Sequence, residues 1–187
     1  IVFHVGRTSN VLMGLGVPDT DILWDASKII KIRAKHPEMT DNIIKQVPQI
    51  LESPIVVMKS KTSDSRITLF GEVFSQNKPI LAVLELSPTG RNGVRLNELK
   101  VASAYGKDNA QRFINNSQIL YVDENKQRTS EWETRTGLQL PVGDSPTDPN
   151  TTVSQTDTGV NNQSMQEETK YSDRDYSYEA LTSKPDM

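Results

Sequence analysis

The chain reads as an α+β protein in which N-terminal helices pack on a four- or five-stranded antiparallel sheet, followed by a disordered C-terminal tail. Three observations carry that expectation. Two helix-forming stretches with good end signals lie before residue 54. A succession of apolar, β-branched runs separated by polar or Gly/Pro turns follows them, and beyond residue 141 the composition shifts to Ser, Thr, Asn, Gln, Asp and Pro. Helices grouped ahead of strands favour α+β over alternating βαβ units.

The elements follow in order. Residues 1–24 are ambiguous, with an apolar opening, a short helix around Ser9–Leu15 and a Gly-Val-Pro turn at 16–18. Residues 26–36, ASKIIKIRAKH, carry helix formers, and Pro37 ends them because the residue before proline is biased away from the α region. On that helix Ile29, Ile32 and His36 share a stripe, while Lys28, Lys31 and Lys35 read as a solvated face. Thr40 is a good N-cap for a second helix through Ile43, Ile44 and Val47, which Pro48 tightens or restarts before Pro54. Ile55–Lys59, Arg66–Phe74 and Pro79–Leu86 read as successive antiparallel strands leading into a long strand over 94–107. A helix at Asp108–Asn116, a strand at Gln118–Val122 and a charged helix from about Glu124 to Arg135 complete the ordered part.

Composition bounds the function. There is no cysteine among the 187 residues, which excludes disulfide frameworks and cysteine metal sites. No apolar run approaches the ~18 residues that span a membrane, and the opening residues lack the charged-then-apolar form of a signal peptide. Residues 1–140 hold 18 Lys/Arg against 15 Asp/Glu, whereas 141–187 hold 3 against 9. The chain therefore divides into a folded domain, 1–141, and an acidic, polar linker, 142–187, that cannot bury enough surface to fold. Beginning at Ile1, it reads as a segment of a longer polypeptide.

The stretch 94–107, VRLNELKVASAYGK, is the most informative. Strand periodicity places Arg95, Asn97, Ser103 and Tyr105 on one polar face, which suits either a polar ligand or the wet side of a sheet. Phosphate-binding loops, dinucleotide fingerprints, HExxH, a nucleophile elbow and clustered acids are all missing. Among metal-free reactions that suit one helix histidine, some cations and a Ser/Tyr/Asn strand, the strongest candidate is RNA cleavage through the substrate's own 2′-hydroxyl. There the protein supplies proton transfer, for which His36 is suited, and charge stabilisation from Lys, Arg, Ser or Tyr. No metal or other cofactor is expected.

The ordered blocks KIRAKHPEM, QVPQILESPIVV, NELKVASAYGKDN, FINNSQILYVDE and GLQLP resemble the phage MuF C-terminal domain family over roughly residues 4–141. The resemblance implies a module of phage polyvalent proteins with a fold similar to the barnase, EndoU, colicin and RelE group. It also implies a metal-independent endoribonuclease acting as a phage-encoded toxin or effector. On the matching positions, His36 is the general acid or base and Lys107 a phosphate-binding cation, a role for which Arg66 or Arg95, outside the matching positions, is a further candidate. Ser103 and Asn97 orient substrate, Tyr105 donates a proton or stacks a base, and Asn109 lines the site. The implied partners are RNA, tRNA included, with an immunity protein or a phage head or portal component. The implied setting is the bacterial host cytoplasm or the virion. A catalytically silent RNA- or protein-binding module and a DNA nuclease on the same scaffold are the competing readings.

Overall fold

A computed structural model describes residues 1–90 and 92–141. The tail from 142 onward, expected to be a disordered linker, lies outside the described residues. The chain order is β1 (Val2–Arg7), α1 (Asn10–Gly14), β2 (Asp21–Asp25), α2 (Ala26–Lys35), α3 (Asp41–Glu52), β3 (Val56–Lys59), β4 (Arg66–Ser75), β5 (Lys78–Glu85), β6 (Leu99–Gly106), α4 (Ala110–Asn115), β7 (Gln118–Val122) and α5 (Lys126–Thr136).

The fold is α+β, but its sheet is mixed and has seven strands in the order β1-β2-β6-β5-β4-β3-β7. This corrects the expected four- or five-stranded antiparallel sheet. The difference arises mainly at the N-terminus, where β1 and β2 form a hairpin-like antiparallel pair and β2 then joins β6 in parallel. A parallel pair needs a long crossover. Here the connection runs from Ala26 to Glu98 and contains two helices and three strands. The strands β3, β4, β5 and β6 do form the expected antiparallel neighbours. The β4–β5 hairpin closes through Gln76 and Asn77 at φ 50° and 68°, as a right-twisted two-residue turn requires.

Local chemistry explains the helix ends. The hydroxyls of Ser9 and Thr40 accept from the amides of Leu12 and Ile43, capping α1 and α3. Gly137, at φ 75°, ends α5 in the left-handed conformation that glycine adopts without strain. Pro48 lies within α3, which continues to Glu52 rather than restarting there. The apolar centre collects Ile43, Val47, Ile50 and Leu51 of α3 with the inner faces of β3–β6. Gly71 lets α3 approach β4 closely: a Cβ there would meet the Ile50 Cα at 3.0 Å. Helices α4 and α5 close on Phe70, whose ring meets Phe113 of α4 at 6.3 Å and Trp132 of α5 at 5.9 Å.

Candidate functional site

The site region is built on β6, where one extra residue changes which side chains share a face. Ser103 opposes Val83 and Val101 opposes Leu84, so Ala102 is a bulge. Directly opposed residues of an antiparallel ladder share a face. Three rows therefore stack along one side of the sheet: Arg66, Glu85 and Lys100; Thr68, Val83 and Ser103; Phe70, Leu81 and Tyr105. The bulge brings Lys100 into phase with Ser103 and Tyr105 in place of Val101. Helix α2 runs along β6 over this side, with Lys28 above the first row and His36 beside Tyr105. The polar strand face is thus an interior layer under a helix, with Ser103 1% and Tyr105 5% exposed.

The first row is a buried charge cluster. Arg66 Nε donates to Glu85 Oε1 at 2.8 Å, and Lys100 Nζ donates to both oxygens of Asp25 at 3.1 and 3.2 Å. Lys28 enters the same cluster from α2 and is wholly buried, not on a solvated face as its spacing suggested. Burial pushes its ammonium down to about 7, with Asp25 opposing the shift and Arg66 and Lys100 adding to it. With Lys28 neutral, two cations face two carboxylates and the cluster balances.

At the other end of β6 the chemistry is different. The His36 ring stacks on Tyr105 with centroids 5.1 Å apart and planes 16° apart. His36 Nδ1 lies 3.5 Å from Glu38 Oε2, which also accepts from the Gly106 amide at 2.9 Å. His36 and Glu38 keep 22% and 24% of their side chains exposed, so solvent reaches this rim. The stem of Lys78 passes the same point of Gly106, and its ammonium donates to Asp108 at 2.6 Å. Lys107 is buried, with its ammonium 4.8 Å from the Phe113 ring centroid. The polar atoms beneath the rim face inward: His36 Nε2, Tyr105 Oη and Ser103 Oγ are covered, and Ser103 Oγ has no hydrogen-bond partner among the described residues.

The structure therefore brings together His36, Tyr105 and the neighbouring Lys107, with Ser103 in the row behind them. It separates the other expected site residues. Arg66, on β4, is 5% exposed and committed to Glu85, in the row at the Lys100 end of β6, away from His36 beside Tyr105. Arg95 and Asn97 lie before β6 in the 86–98 connection, not in a strand that continues through them. They are exposed, with Arg95 Nη2 donating to Ser87 Oγ at 2.7 Å. A strand the length of β6 spans roughly 25 Å, so these two mark the opposite end from His36. Asn109 is exposed at φ 53°, heading α4 close behind Lys107. Glu38 escaped the sequence reading, although KHPEM places it two residues beyond the histidine across a proline.

Among the described residues no three His, Asp or Glu side chains group so as to hold a metal ion, and no helix is long and apolar enough to cross a membrane. A sequence profile of the phage MuF-C-terminal domain matches residues 28–129, more than half of the chain. No curated protein and no solved structure matches it.

Proposed function

The chain belongs to the phage MuF C-terminal domain family, and from that premise we propose that its folded part is a metal-independent endoribonuclease, a phage-encoded effector module that cleaves RNA through the 2′-hydroxyl. The observation that carries the reading is the partly exposed His36, set between the Tyr105 ring and the Glu38 carboxylate at a rim that also holds Lys78. A histidine near neutral pKa can move the proton that this reaction requires, and the nucleophile arrives with the substrate. Tyr105 and Ser103 act in this reading from beneath, holding His36 in place, since their oxygens are covered. Asn109 and Lys78 stand at the surface near the rim as RNA-contacting groups, whereas Arg66 is retained inside by Glu85.

A second reading is favoured by that same covering of Ser103 and Tyr105: a silent RNA- or protein-binding module of a phage head or polyvalent protein. One experiment separates the two. The full chain is incubated with total cellular RNA in EDTA beside His36→Ala, and fragment ends are mapped. Fragments ending in 2′,3′-cyclic phosphate, reduced about 100-fold or more in the variant, are expected for lost acid–base catalysis. Intact RNA in every lane would leave the binding module.

A further inference from the structure

We propose that Glu38 is the positioning residue of this site, its carboxylate anchored by the Gly106 amide so as to hold His36 as the charged, proton-donating imidazolium. The inference deepens the ribonuclease reading and rests on it. Three features of the chain build the arrangement. His36 is extended (φ −124°, ψ 91°) ahead of Pro37, as a residue before proline prefers, and this brings the side chain two residues on back beside the ring. The Gly106 amide holds Glu38 Oε2 at 2.9 Å, so the carboxylate is fixed to the sheet rather than free on its loop. Gly106 itself makes the room, because a Cβ there would stand 3.2 Å from that same oxygen.

Three elements bring charged or titratable groups to the ring, and Lys107 follows Gly106 directly after β6. Glu38 faces Nδ1 from the loop, Tyr105 lies under the ring from β6, and Lys78 approaches Gly106 from β5. Lys78 carries the sign that would weaken a histidine cation, but Asp108 engages its ammonium at 2.6 Å. The charge that faces Nδ1, at 3.5 Å, is the Glu38 carboxylate, and an anion within this range favours the charged imidazole. In the reaction the O2′–P bond forms and the P–O5′ bond breaks; the imidazolium gives O5′ its proton from Nδ1, the ring nitrogen at the rim, because Nε2 is covered, and water takes the proton of the 2′-hydroxyl. Glu38 makes and breaks no bond.

The test uses the full 15N-labelled chain, whose only histidines are His4 and His36. Ring resonances are titrated in the parent, in Glu38→Gln, which keeps an acceptor for the Gly106 amide while removing the charge, and in Glu38→Asp, which restores the charge. The His36 midpoint is expected to fall in Glu38→Gln and to recover in Glu38→Asp, with His4 unmoved. The alkaline limb of the RNA-cleavage profile is expected to follow it. A His36 midpoint unchanged in Glu38→Gln overturns the proposal even if RNA is cleaved. A midpoint that moves while the parent cleaves no RNA supports the pair and overturns the ribonuclease reading. Should Glu38→Gln fail to fold, Glu38→Asp and the Gly106 amide shift report the same contact, and a Gly106 amide insensitive to His36 titration overturns it.

Discussion

The imidazole of His36 lies almost parallel to the phenol ring of Tyr105, 16° between planes and 5.1 Å between centroids, so the end of α2 is fastened to β6 by an aromatic face. Aromatic contacts of this kind add about 0.5–1.5 kcal/mol beyond the area they bury. Tyr105→Phe keeps the ring and is expected to stay within about 1.5 kcal/mol of the parent in urea unfolding, the scale of one hydrogen bond. Tyr105→Ala, at a site 5% exposed, is expected to cost about 3–5 kcal/mol. If the hydroxyl is itself a proton donor to RNA, Tyr105→Phe will cleave about 100-fold more slowly with unchanged stability. Equal rates would assign Tyr105 to support of His36.

Lys28 sets a pH dependence whose sign follows from its burial. Its folded value of about 7 lies below the ordinary 10.5, so between those values the unfolded chain binds a proton that the folded chain has released. Stability attributable to Lys28 therefore rises as pH climbs from about 7 toward 10.5, by up to about 1.4 kcal/mol per unit, and does not vary well below 7. Lys61, pushed down to about 8 by burial, contributes in the same direction. Lys28→Met is expected to flatten this slope and to stabilise the protein at pH 7 by about 1–4 kcal/mol, as apolar replacement of buried charge often does. Urea midpoints for parent and variant from pH 6 to 10 check both. A parent with no rise above pH 7 would contradict the burial of a neutral lysine.

Legibility of the fold followed the reach of each signal. β3, β4, β5 and α3 were readable because their Val, Ile, Leu and Phe runs and the Thr40 cap act within a few residues. β1 was not, since VFHVGR is exposed, interrupted by a register shift near Val5, and bonded to a strand whose own ends are aspartates. The parallel β2–β6 pair leaves no local mark at all, because its partners are more than seventy residues apart. In the site, strict alternation put Arg95 and Asn97 with Ser103 and Tyr105. The Ala102 bulge and the end of β6 at Leu99 broke that phase. Lys28 looked solvated because only Asp25 is near it in sequence, whereas Glu85, Arg66 and Lys100 arrive from distant strands.

Arg66 and Glu85 form a pair with both side chains 5% exposed, and Glu85 also accepts from the Ser87 amide at 3.0 Å. Removing only the cation strands a buried carboxylate, so Arg66→Met is expected to cost about 3–5 kcal/mol. Arg66→Met with Glu85→Leu removes both charges and is expected to recover most of that loss. The double variant decides whether Arg66 touches RNA. An interior structural pair predicts RNA affinity equal to the parent's in a filter-binding titration, at matched salt because phosphate contacts are salt-sensitive. A drop in affinity with restored stability would return Arg66 to the RNA surface.

Gly106 is the point at which stability and the His36 environment can be separated. Its backbone lies outside the positive-φ glycines, so an alanine there meets only its neighbours. The new Cβ would stand 3.0 Å from Lys78 Cδ, the middle of a flexible side chain that can swing away, and 3.2–3.3 Å from Glu38 Oε2 and Cγ. Glu38 cannot withdraw without stretching the 2.9 Å bond it accepts from the Gly106 amide. Gly106→Ala is therefore expected to cost about 1–3 kcal/mol, the scale of modest overpacking, and to push the carboxylate away from the imidazole. Its signature is a His36 titration resembling that of Glu38→Gln, together with a fold that still gives a dispersed amide spectrum. Adding Lys78→Ala removes a contact that the flexible side chain can relieve by itself but not the Glu38 contact, so the double variant should regain little stability and the His36 titration should stay displaced. Recovery of both would show that the crowding acts through Lys78 and that Glu38 had never moved.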